Sequence, residues 1–127
     1  MAAYSNPLIA DNGLAAVKAN CNKMVLCSQQ PTSFTEANST YALASVAMAP
    51  ADFTLANGDT TGGRKVTSAA KTGIVPAVSG TANHACWIDT VNSVLYYAQP
   101  LATAIALTAG QGTVDISAFK DEIRAVA

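Results

Sequence analysis

The sequence predicts a mainly β protein: an antiparallel β-sandwich of about seven or eight strands with a short N-terminal helix. Three observations carry that reading. The stretch Thr81–Leu101 (TANHACWIDTVNSVLYYAQPL) contains the only Trp, the only His and two of the four Tyr. Its halves, Ala82–Asp89 and Val94–Gln99, are rich in strand-favouring residues and flank the polar turn Thr90–Ser93, which predicts a hairpin. In a chain with 6% aromatic residues, a hairpin carrying Trp87, Ile88, Leu95, Tyr96 and Tyr97 belongs at or near the core. Turn signals recur elsewhere at roughly 8–12 residue spacing, as in sandwiches. Finally, the 127 residues show no repeat, linker or internal boundary, so residues 1–127 read as one domain with an N-terminal arm and helix over about 1–22.

Taken in order, residues 1–6 read as an arm. Pro7–Asn22 has helical character: Asn6 can cap, Pro7 suits the first helical position, and a second start at Asp11 is open. Leu14, Val17 and Cys21 form one apolar stripe, while Gly13 weakens the helix by roughly 1 kcal/mol against Ala. Lys23–Ser28 (KMVLCS) is a continuous apolar run, as expected of a buried strand. Gln29–Thr40 is a loop by composition, with one turn at Thr35–Asn38. Tyr41–Met48 fits strand or helix by pattern, and Pro50 favours strand. Phe53–Ala70 reads as a second hairpin whose tip is the turn-rich Asn57–Gly63 (NGDTTGG). Ile74–Val78 reads as a strand interrupted by Pro76, hence at an edge or bend. After Pro100, Leu101–Thr108 is a separate short apolar run, Ala109–Gly112 a turn, and Thr113–Phe119 an alternating strand. Lys120–Val126 either continues that strand after a bend or forms a helical turn.

Composition narrows the function classes. Charged residues make up 12% of the chain, about half the usual share, so the surface either lies against neighbouring subunits or is that of an Ala/Thr/Ser-rich or secreted domain. The net charge is −1, and Arg64–Lys65 is the only adjacent basic pair, which leaves no patch for nucleic acid. No apolar run is long enough to predict a membrane-spanning helix. Met1–Gly13 lacks the basic and apolar regions of a signal peptide. Three Cys without metal-type spacing predict small buried thiols, with a Cys21–Cys27 bond or intersubunit pairing after release from the cell as the alternatives.

Candidate chemistry starts in the aromatic hairpin. His84 and Cys86 sit two apart on one predicted strand, so they share a face. Their Cβ atoms would then lie roughly 6.5–7 Å apart, long for a thiol–imidazole hydrogen bond, and no Gly-rich nucleophile turn accompanies them. A packed thiol and a satisfied imidazole is the favoured reading. One His, Cys86 and the scattered acids Glu36, Asp52, Asp59, Asp89, Asp115, Asp121 and Glu122 give no metal ligand set and no recognisable catalytic carboxylate pair. NGDTTGG lacks the ending of a phosphate-binding loop and the spacing of an EF-hand. Trp87 with Tyr96 or Tyr97 suggests a sugar-stacking platform. Strand alternation allows only one of those Tyr on the Trp87 face, so core packing is favoured and the other Tyr is expected to face outward on a contact surface. No catalytic, cofactor-binding or metal residue is assigned.

The blocks VLCSQQPTSFTEANSTYALASV, ADFTLANGDTTGGRKVTSAAK, SGTANHACWIDTVNSVLYYAQPL and TVDISAFKDEIRAV, in that order over roughly Pro7–Val126, resemble a family of small virion structural proteins of tailed bacteriophages, in particular capsid decoration (cement) proteins. The resemblance implies a non-enzymatic protein without cofactor or small-molecule substrate. It would be made in the host bacterial cytoplasm and placed on the virion, bound to the major capsid protein lattice and to copies of itself. It carries over no functional residue. A tail or head–tail neck component is the alternative, and a carbohydrate-binding module a further one. On the decoration reading, Met1–Asn6 and Gln29–Thr40 are expected to be contact segments ordered only on the particle.

Overall fold

The computed structural model describes residues 4–5, 14–57 and 64–123. The Asn6 cap, the helix starts at Pro7 and Asp11, and the tip residues 58–63 with Asp59 lie outside the described residues. In chain order the elements are β1 (Tyr4–Ser5), α1 (Leu14–Asn20), β2 (Lys23–Cys27), a wide turn of π type (Glu36–Thr40), β3 (Ala42–Ala47), a 3-10 turn (Pro50–Asp52), β4 (Phe53–Asn57), β5 (Arg64–Ser68), β6 (Lys71–Ile74), β7 (Gly80–Asp89), β8 (Val94–Leu107), β9 (Val114–Ile116) and β10 (Lys120–Ile123). All pairings are antiparallel. A five-stranded sheet runs β1-β8-β7-β2-β3, a three-stranded sheet β10-β5-β4, and β6 pairs with β9 as a ribbon. The fold is mainly β with antiparallel sheets and a short N-terminal helix, as the sequence predicts, and residues of the two larger sheets share one core.

The aromatic hairpin is the centre of the larger sheet. Along β2, Met24 and Leu26 point to one face and Val25 and Cys27 to the other. The first face meets Phe53 of β4, Val66 of β5, Ile74, Val114 and Ile116 of the ribbon, and Val17 and Cys21 at the helix. The second face is covered by the segment after β2, which contributes Phe34, buried Ala37 and Tyr41. Both faces of β7 are therefore shielded, and His84 through Asp89 are all buried. Gln29–Thr40, expected to order only on a particle, is instead folded onto the sheet by the chain itself.

α1 packs against β4, β5 and the 3-10 turn. Its Val17 is fully buried, and Lys18 in its last turn reaches the carbonyls of Pro50 (2.8 Å) and Phe53 (2.7 Å), tying the helix to β4. A cation near the C-terminal end also suits the helix dipole.

Proline accounts for two departures from expectation. No strand runs over Ile74–Val78: β6 ends at Ile74, and Pro76 cannot donate to a ladder. The chain turns instead, with the Ala77 and Val78 amides donating to the Leu43 carbonyl (2.9 and 3.0 Å) and the Pro76 carbonyl accepting from Gly110 (2.8 Å). Conversely, Pro100 does not end its strand. β8 continues to Leu107 because the ladder is already broken there: His84 pairs with Pro100 and Ala82 with Ile105, so Asn83 alone stands opposite Leu101–Ala104. A proline is tolerated in a strand at such a bulge. The turn after β8 needs left-handed backbone at Gly110 (φ 72°) and Gly112 (φ 68°), which glycine adopts without strain. Over Lys120–Ile123, the described part of the C-terminal run, the strand reading holds: β10 pairs with β5, Lys120 opposite Thr67.

Candidate functional site

The residues with chemical potential gather on the outer face of β7. Cys27 of β2 lies opposite His84 and Val25 opposite Cys86, so His84, Cys86 and Cys27 share one face of adjacent strands. His84 and Cys86 thus have the common face that strand periodicity predicts, but Cys86 finds a sulfur partner instead of the imidazole. Its Sγ donates to Cys27 Sγ at 3.7 Å, and Cys27 Sγ donates to the Ala37 carbonyl at 3.6 Å. Both cysteines have 0% exposure.

This environment holds the Cys86 thiol neutral. The hydrogen bond with Cys27, then burial, push the Cys86 thiol well above its ordinary pKa. The thiolate is the nucleophile, so a thiol held neutral beneath a covering loop is inert. Cys21 sits on the opposite face, where burial raises its pKa to about 12 and its Sγ donates to the Lys23 carbonyl. Cys21 and Cys27 therefore face away from each other across the sheet, and all three cysteines are free.

His84 is 2% exposed. Its Nδ1 lies 2.7 Å from Asn83 Oδ1, which assigns the proton to Nδ1, and its Nε2 has no partner among the described residues. Burial holds the imidazole below its ordinary pKa. Neutral His is the form this site accommodates, because protonation would place a second, unpaired donor in a dry setting.

Trp87 occupies the inner face. Phe53 meets it edge-on (5.3 Å, 89°), Tyr97 is tilted against it (5.2 Å, 47°) and Phe119 stacks on it (5.0 Å, 18°). Its exposure is 0% and its Nε1 has no partner among the described residues. Tyr96 and Tyr97 depart from strict alternation. Trp87 pairs with Tyr97 and Ile88 with Leu95, so Tyr96 is the extra residue of a bulge, and both tyrosines join the inner core. Neither faces outward: they are 5% and 7% exposed, and burial raises both phenol pKa values, that of Tyr97 to about 12. The Tyr97 hydroxyl donates to Gln99 Oε1. The expected outward tyrosine is thus replaced by two core tyrosines, and these rings offer no stacking platform.

Four acids have structural work. Asp89, 1% exposed, accepts from the amides of Val91 (2.8 Å) and Asn92 (3.2 Å) and from Asn92 Nδ2 (2.7 Å), shaping the hairpin turn in which Ser93 adopts φ 58°. Asp52 pairs with Lys71 at 3.0 Å and accepts from the Ala49 amide, and these contacts hold its pKa below the ordinary value. Glu36 accepts from the Thr32 amide and hydroxyl, which lowers its pKa, and Asp115 accepts from the Gly73 amide. Among the described residues, no group of three or more His, Cys, Asp and Glu is arranged to hold a metal ion. No helix among them is long and apolar enough to cross a membrane.

The Cys27–Cys86 contact is the feature that sequence reasoning missed. The available signal was the continuous apolar run KMVLCS, which requires a two-sided buried strand and hence a central neighbour of β7. Comparisons with protein-family models, curated proteins and solved structures returned no match.

Proposed function

We propose that this chain is a non-enzymatic structural protein of a tailed-phage virion, a capsid decoration protein that binds the major capsid protein lattice. The observation that carries the non-enzymatic part is the sealing of the outer face of β7. The only histidine is buried, its neighbouring thiols lie under the chain's own loop, and the sulfurs hydrogen-bond to each other and to backbone. Acids that a hydrolase would present in a cleft are spent on turns and an ion pair. The placement on a capsid rests on the resemblance of the four sequence blocks, together with a surface poor in charge. Such a surface suits a protein covered by neighbours.

A tail or neck role shares these supports and differs in copy number. The carbohydrate-binding alternative is disfavoured by the burial of Trp87, Tyr96 and Tyr97. Quantitative mass spectrometry of purified particles, with immunogold labelling, separates the readings. Decoration requires on the order of hundreds of copies spread over the shell, as lattice symmetry dictates. A single ring of subunits at a vertex or along the tail would overturn it in favour of a neck or tail component.

A further inference from the structure

We infer that the outer edge of β3 is a self-pairing surface, on which a second copy of this chain adds its own β3 antiparallel across a two-fold axis. Several other strand edges are guarded over at least part of their length. β8 is paired by β1 over Tyr97 and Ala98. β4 is flanked by α1, with Lys18 bonded to the Phe53 carbonyl. β10 carries Lys120 and Asp121, charges of the kind that discourage edge pairing. β3 (ALASVA) has no charge and no proline, and among the described residues it pairs only with β2.

The ladder phase defines what this edge offers. Met48 donates to the Asn22 carbonyl at 2.9 Å, which places Met48, Val46 and Ala44 on the hydrogen-bonded rungs with β2. The N–H and C=O of Ser45 and Ala47 therefore point away from β2. One rung further back, the Leu43 carbonyl is already taken by Ala77 and Val78. The open stretch is thus Ser45–Ala47, and this selects one register. Val46 lies opposite its own copy on the axis, with Ser45 opposite Ala47 on either side, giving roughly four backbone hydrogen bonds in all. Ser45 and Ala47 are small and exposed on the outer face, so neither obstructs a partner strand.

Charge selects a second copy over a charged partner. Among the described residues, charges near this edge have internal partners: Lys23 with Asn38, Lys18 with backbone carbonyls, and Asp52 with Lys71. Pairing two such neutral edges leaves no charge to be desolvated alone. Alongside lie Val75 and Val78, 54% and 50% exposed, together with exposed Ala49 and Pro50. In the two-fold arrangement the first pair of each copy approaches the second pair of the other, extending the contact as an apolar rim. This names the self-contact within the structural reading above and rests on it for its role on a particle.

Analytical ultracentrifugation of the purified chain tests the pairing. Wild type is expected to sediment as a dimer at about 100 µM, a concentration at which even weak self-association registers. Ser45→Lys brings like charges near the axis, and Ala47→Pro removes an outward N–H without touching the β2 ladder. Both are expected to sediment as monomers with far-UV circular dichroism and melting of the monomer unchanged. Val91→Lys, at an 81% exposed position on the hairpin turn, is expected to remain dimeric. If Ala47→Pro fails to fold, Ser45→Lys decides. A monomeric wild type, or a dimer that survives Ser45→Lys, overturns the proposal. A monomer that loses binding to purified capsid protein on Ser45→Lys overturns it too, by giving the edge to the shell. Dimers that do not bind shells uphold the pairing and count only against the capsid reading.

Discussion

Replacing Trp87 tests whether one side chain joins the sheets. Trp87 is fully buried on β7 and touches Phe53 of β4, Tyr97 of β8 and Phe119 beside β10. Trp87→Ala removes the largest core side chain, and such truncations cost about 3–5 kcal/mol, the upper end applying where neighbours cannot collapse. Here the neighbours stand on separate sheets, so collapse would have to move backbone. Trp87→Phe behaves differently. It keeps a ring against its aromatic neighbours while discarding an Nε1–H that has no partner among the described residues. Leaving such a donor unsatisfied costs about 1–3 kcal/mol, which offsets most of the transfer energy lost with the smaller ring. The expected order is a loss of about 3–5 kcal/mol for Ala and within about 1 kcal/mol of wild type for Phe. Urea unfolding followed by far-UV circular dichroism measures both without relying on the deleted fluorophore. In thermal melts the Ala variant falls by roughly 3–5 °C per kcal/mol for a chain of this size. A cost under about 1 kcal/mol for Ala would refute the claim that the sheets share a core at Trp87. A Phe variant as damaged as Ala would refute the unpartnered N–H.

Asp89→Ala leaves the Val91 and Asn92 amides without their buried acceptor and is expected to cost about 2–4 kcal/mol, with Asp89→Asn intermediate, by urea titration. His84 gives a pH signature. Its folded pKa lies below the ordinary 6.5, so as pH falls through that value the unfolded chain takes up a proton that the folded chain refuses. Stability is expected to be flat between about pH 7 and pH 8, to decline below about 6.5, and to decline again at alkaline pH, where unfolded thiols ionise and the buried Cys21 and Cys86 do not; His84→Gln should lessen the acid-side slope, and an unchanged slope would assign it elsewhere. Cys86→Ala removes a buried sulfur and is expected to cost about 1–2 kcal/mol, whereas Cys86→Ser adds a strong polar group to an apolar face and should cost more. Equal losses in the two chemical melts would refute the dry environment of the Cys27–Cys86 contact.

Sequence periodicity was most informative where one face of a strand meets water, and least informative where neither does. Val114 and Ile116 alternate with exposed Asp115, and that strand is where the pattern places it. Along β7 the pattern is lost because a loop covers the face that an isolated sandwich would leave wet, so every residue from His84 to Asp89 is buried. Bulges then defeat the rule of opposite faces: the extra residue at Tyr96 brings both tyrosines to the core, and the gap opposite Asn83 carries the strand past Pro100. The same cause removed the candidate chemistry. His84 and Cys86 do share a face, as spacing requires, but a third strand brings Cys27 against the thiol, at a sequence separation of 59 residues that no local pattern encodes. What a short-range reading presents as a nucleophile and base is therefore the second, smaller core of the protein. The self-pairing proposed above lies apart from that core, on the rim where the β3 edge at Ser45–Ala47 adjoins exposed Val75 and Val78.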